Sequence, residues 1–121
     1  GQTSEVGDAA EEGVRISVIR LPATVTSGSG GSAVTPVALD SADAAAGFAA
    51  ECNNTTVATT SSTAVIVSEH AWNERASPWD FFYPDERFCP KVKQGEGLVV
   101  RLQTTIADDM SCCITFWVEE E

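Results

Sequence analysis

Val14-Arg15-Ile16-Ser17-Val18-Ile19-Arg20 is the stretch that decides the fold. Val14, Ile16 and Val18 recur at every second position, which places them on one face of an extended chain. That period belongs to a half-buried strand and not to a helix. Pro22 ends the run. Downstream, Thr26-Ser27-Gly28-Ser29-Gly30-Gly31-Ser32 reads as a flexible loop with few side chains to pack. Residues 33–39 read as a strand interrupted by Pro36, and a proline there favours a sheet edge. The Asp and Ala run before Gly47 allows a short helical turn over residues 41–46.

Residues 48–52 resume an extended pattern, and Asn53-Asn54-Thr55-Thr56 is turn chemistry. Ala64-Val65-Ile66-Val67 is dense in β-branched side chains and predicts a well-buried strand within 62–69. Residues 71–90 hold most of the aromatics, Trp72, Trp79, Phe81, Phe82, Tyr83 and Phe88. With Pro78, Pro84 and Pro90 they read as an irregular connection around one short strand at 79–83. Beyond the Gln94-Gly95-Glu96-Gly97 turn, Leu98, Val100 and Leu102 share one strand face. After the turn at residues 107–110, a last strand over 111–119 would point Cys112, Ile114, Phe116 and Val118 inward, with Thr115 and Trp117 outward.

These signals amount to six to eight strands and no long helix. They predict an all-β, antiparallel β-sandwich, with a jelly roll as one form of it. Residues 1–13 form a polar arm or loop, and residues 14–121 a single sandwich domain. The expected core is Val14, Ile16, Val18, Phe48, Ile66, Leu98, Val100, Leu102, Ile114 and Phe116.

Hydrophobic residues make up 43% of the 121, well above the disordered class. Seven Lys and Arg against eighteen Asp and Glu leave a formal charge of −11. That charge repels phosphates and anionic head groups, which argues against nucleic acid and membrane partners. It serves solubility in the plain reading and a basic partner surface in the sharper one. No apolar run approaches the roughly 20 residues of a membrane helix. The opening Gly1-Gln2-Thr3-Ser4-Glu5 reads as a processed or incomplete start.

Cys52, Cys89, Cys112 and Cys113 allow three two-disulfide connectivities but no zinc-ribbon spacing. Buried or half-buried thiols are the plainer expectation. Adjacent Cys112 and Cys113 would point to opposite faces of a strand. His70 is the single imidazole, and no nucleophile elbow marks a serine or cysteine partner for it. The acid pairs Glu11-Glu12, Asp85-Glu86 and Asp108-Asp109 lack the arrangement of a glycosidase or a calcium loop. Gly28–Gly31 precede no Lys-Ser or Lys-Thr, so they are not a phosphate loop. Asn53-Asn54-Thr55-Thr56 contains two overlapping Asn-x-Thr sequons, which matter only in a eukaryotic secreted protein. No catalytic residue, cofactor or metal ligand is therefore expected.

The aromatic segment reads either as the lid of a small core or as the anchor of a subunit interface, where such rings are enriched. On the second reading the interface residues are Trp72, Trp79, Phe82, Tyr83 and Trp117.

A run of short motifs carries a resemblance. They are Glu5-Val6-Gly7-Asp8-Ala9-Ala10-Glu11-Glu12, the Ser/Gly loop ending in Thr35-Pro36, and Asp43-Ala44-Ala45-Ala46-Gly47-Phe48. Asn53-Asn54-Thr55-Thr56, Trp72-Asn73-Glu74-Arg75, Pro84-Asp85-Glu86-Arg87 and Leu98-Val99-Val100-Arg101-Leu102 follow, then Ala107-Asp108-Asp109-Met110 and Val118-Glu119-Glu120. In this order the chain resembles a widespread family of tailed-phage and prophage virion structural proteins. The cysteines and Trp79-Asp80-Phe81-Phe82-Tyr83 depart from that pattern.

The resemblance implies a non-enzymatic capsid decoration or cement protein, assembled in a bacterial cytoplasm. Its partners would be other virion proteins such as the major capsid protein, and further copies of itself. It also implies a β-rich segment before the first motif. A tail or neck component is the alternative within that class. A secreted adhesion or carbohydrate-binding module using exposed aromatics is the alternative outside it, with a hydrolase third.

Overall fold

The computed structural model describes residues 2–5, 13–73, 78–106 and 110–120. The Glu11-Glu12 and Asp108-Asp109 pairs lie outside them. The fold is all-β and antiparallel, with small sheets of two or three strands. In chain order the strands are β1 (Gln2–Glu5), β2 (Gly13–Leu21), β3 (Val25–Thr26), β4 (Ser32–Val34), β5 (Ala50–Cys52), β6 (Thr59–Thr60), β7 (Val65–Asn73), β8 (Gly97–Leu102) and β9 (Met110–Cys113). The helical content of the described residues is one 3-10 turn at Glu86–Phe88.

The chain forms two compact units. The first is Gly1–Val25 with Thr60–Phe116, and the second is Thr26–Thr59 with Trp117–Glu121. β1, expected within a polar arm, pairs with β9, Gln2 opposite Cys113.

In the first unit β2 is the central strand of the order β7-β2-β8. Val14 faces Trp72 and Ile16 faces His70 across one edge, while Ile16 faces Leu102 and Val18 faces Val100 across the other. The even-numbered face forms the core expected of it. Val14, Ile16 and Trp72 are buried, and Trp79, Val100, Leu102 and Ile106 pack against them. The odd face of β2 is covered too, since Ser17, Ile19 and Leu21 are buried. Ser17 is fully buried, and its hydroxyl donates to Glu69 Oε1 at 2.9 Å, which satisfies the polar group. Arg15 Nε lies 3.6 Å from the same carboxylate oxygen.

Ile66 does not join the core. The β2–β7 register passes from Val18 opposite Ser68 to Ile19 opposite Ile66, so Val67 is an extra residue on β7. This bulge inverts the side-chain phase beyond it. Ile66 then shares a face with Ile19 and is 53% exposed. Leu98 and Phe48 are also exposed, and so are Ile114 and Phe116. For the last two the reason is pairing. The ladder of β9 ends at Cys113, so residues 114–120 have no strand beside them to define an inward face. The last strand is thus four residues long, not nine. Cys52, Cys89, Cys112 and Cys113 are all exposed, contrary to their expected burial.

In the second unit β4 pairs with β5, Ser32 opposite Cys52 and Val34 opposite Ala50. The Ser/Gly loop is not slack. Ser29 bridges Thr56, donating to its carbonyl at 3.1 Å and accepting the Thr55 and Thr56 N–H groups at 3.0 Å. Glycine permits this close approach, because a Cβ at Gly31 would overlap the Cys52 carbonyl oxygen. Residues 41–46 form no helix. Asp40 instead closes a turn, its Oδ1 accepting the Ala42 N–H at 2.9 Å.

Trp72→Ala should therefore cost about 3–5 kcal/mol in urea denaturation, whereas Phe116→Ala should cost less than about 1 kcal/mol. Gly31→Ala should abolish hydrogen-exchange protection at the Thr55 and Thr56 amides while sparing those of β2.

Candidate functional site

Pro78 and Pro84 bracket residues 79–83, which pair with no neighbouring strand. The expected strand at 79–83 is accordingly absent, yet the stretch keeps a strand's alternation. Trp79, Phe81 and Tyr83 form a chain of rings with His70 of β7. The His70 centroid lies 4.2 Å from Phe81 and 5.6 Å from Trp79. Trp79 and Phe81 are stacked at 6.4 Å, and Phe81 meets Tyr83 edge-on at 4.9 Å. Such pairs contribute roughly 0.5–1.5 kcal/mol each beyond their burial. Phe82, at the intervening even position, is 77% exposed.

Three polar atoms near this lid, Ser68 Oγ, His70 Nε2 and Tyr83 OH, are buried and make no hydrogen bond among the described residues. Ser68 and His70 are two residues apart on β7, but the hydroxyl does not bond to the imidazole. Among the described residues no group of three or more His, Cys, Asp or Glu side chains converges, and no helix is long and apolar enough to cross a membrane.

The five sequence-predicted interface residues thus divide. Trp72 is buried in the core and Trp79 packs on it. Tyr83 is half-buried beneath the ring chain, while Phe82 and Trp117 stand in solvent, Trp117 at 69% exposure. The structure adds exposed apolar residues that sequence reasoning did not place at a surface. Phe88 and Val92 flank the Pro90 connection, Ile66 and Val67 sit at the bulge, and Val37 and Leu39 follow Pro36. Only Val37 and Leu39 carried a signal, since Pro36 already marked that strand as weakly paired.

Phe88 is held by a small electrostatic device. Asp85 caps the 3-10 turn, its Oδ1 accepting the Arg87 N–H at 2.9 Å. The Arg87 guanidinium donates Nε to Oδ1 at 2.9 Å and Nη2 to Oδ2 at 3.1 Å, a bidentate pair. The guanidinium, and then the backbone N–H of Arg87, hold the Asp85 carboxyl below the ordinary aspartate range. The same pairing raises Arg87 above its ordinary value. Because the Asp85 pKa is depressed on folding, the contribution is present above the unfolded value and is lost as pH falls through the folded one.

Searches for relatives find no family model, no curated protein and no solved structure that matches the chain.

Arg87→Gln should bring the Asp85 titration, followed by carboxyl NMR, back toward the ordinary value of about 3.9.

Proposed function

We propose that this chain is a non-enzymatic structural protein of a tailed-phage virion, a capsid decoration or cement protein that works by covering surface on its neighbours. The observation that carries the reading is the balance of apolar exposure. Among the described residues six apolar side chains are buried, while seventeen large ones are exposed, including Phe82, Phe88, Phe116 and Trp117. Contiguous exposed apolar surface marks an interaction site.

A protein of this kind needs β-sandwich-like stiffness and apolar anchors. Its partners on this reading are the major capsid protein and other copies of itself, in a virion assembled in the bacterial cytoplasm. Nucleic acid and membrane partners are not part of the proposal, given the charge of −11. Nor are a catalytic group, a cofactor or a metal. The sequence motifs that resemble virion proteins support the same reading.

Quantitative mass spectrometry of purified particles should find the chain at many copies per virion. Phe82→Ser and Trp117→Ser, both at exposed positions, should reduce that number and leave the circular dichroism spectrum unchanged. Absence from particles, together with glycan binding by the isolated monomer, would replace this reading with the adhesion-module one.

A further inference from the structure

Gln2-Thr3-Ser4-Glu5, the whole of β1, contains no apolar side chain. Its attachment is the backbone ladder to β9, which sets Gln2 opposite Cys113, Thr3 opposite Cys112, Ser4 opposite Ser111 and Glu5 opposite Met110. Among the described residues β1 pairs with β9 alone and β9 with β1 alone, so the two form a sheet of two strands. A ribbon of two strands is only marginally stable in water. Its backbone hydrogen bonds barely offset the entropy lost in ordering the strand. Such a ladder opens at little cost in free energy.

The first unit does not depend on that ladder. The order β7-β2-β8 involves neither β1 nor β9, and Val14, Ile16 and Trp72 make its core without them. β1 can therefore leave its own β9 while the three-stranded sheet stays intact. Residues 6–12 join β1 to β2, and a chain of that length reaches at most about 25 Å when extended. That is enough to carry β1 to a copy in contact. The vacated β9 then offers an unpaired edge, and such edges recruit a strand. A strand with no apolar side chain is recognised there by main-chain hydrogen bonds, which β1 of any copy makes equally well.

We infer that β1 of one copy docks on β9 of another, so that copies are joined by exchanged strands. Exchange of an identical element is a low-cost route to association, because it keeps the contacts of the closed chain. The smallest closed form is a symmetric pair in which each copy gives its β1 and receives one. Once the first strand is in place, the second ladder forms within the same pair, at a raised effective concentration. This deepens the structural-protein reading and rests on it for its biological meaning. A virion surface holds copies side by side, where a strand meets its neighbour without a search through solution.

The register supplies the test, because Thr3→Cys lies opposite Cys112 and Gln2→Cys opposite Cys113. Paired Cα atoms of an antiparallel ladder lie about 4.5–5.5 Å apart, within reach of a disulfide. One variant of the full chain carries Thr3→Cys with Cys52→Ser, Cys89→Ser and Cys113→Ser. The second carries Gln2→Cys with Cys52→Ser, Cys89→Ser and Cys112→Ser. Isotopically heavy and light copies of each are unfolded, mixed equally, refolded together at about 100 μM and gently oxidised. Non-reducing electrophoresis should show covalent dimers or larger species. In peptide mass spectrometry about half of the register-linked peptides should join a heavy chain to a light one, since strands are drawn from either population. Linked peptides of one isotope only, all on monomers, would overturn the proposal, and so would absence of the register bond from both variants. Exchange in solution by a protein absent from particles would sink the virion reading alone. Many copies per particle beside purely intrachain links would sink the exchange alone.

Discussion

Backbone pairing on both edges of β2 is the constraint from which the first unit is built. A strand flanked by β7 and β8 satisfies its N–H and C=O groups along both sides and can be buried without penalty. That is why Val14, Ile16, Val18, Ile19 and Leu21 are all buried, and why even Ser17 is, given the Glu69 acceptor. The three-stranded sheet of that unit is arranged around this strand. Trp72 and the ring chain from Trp79 to Tyr83 build on its even face or on β7 beside it, and Arg15 and Glu69 form an ion pair on the other.

The bulge at Val67 sets the limit of that core. On the C-terminal side of it, successive positions of β7 alternate between the aromatic face and the opposite one. On the N-terminal side, Ile66 is delivered to the wrong side for burial under the lid. One extra residue therefore converts a strand that should be well buried into a partly exposed apolar edge. Edges of this kind invite pairing, and a bulge is one of the devices that deter it.

Burial and charge are distributed unequally between the two units. Among the described residues the buried side chains lie in the first unit, which also holds every Lys and Arg of the sequence, while exposed apolar side chains occur in both units.

The sequence by itself determined the antiparallel β class, the span and inward face of β2, the turn at Gln94-Gly95, and the acidity of the region from Thr26 to Thr59. These follow from local chemistry: period-two alternation, turn residues and charge are readable without knowing any partner strand. Of the candidate surface, Trp117 was legible as an outward aromatic, because it sits at the off-phase position of an alternating run. Only the tertiary structure decided that Trp72 and Trp79 belong to the core, that the Ser/Gly loop lies against residues 52–56, and that Ile66 and Phe116 are exposed. Each depends on a neighbour distant in the chain. Trp79 needs the rings of β7, Gly31 needs the Cys52 carbonyl, Ile66 needs the register against Ile19, and Phe116 needs a partner strand that β9 does not have beyond Cys113. Side-chain alternation states which residues share a face, but burial is conferred by what packs on that face, and only long-range contacts supply it.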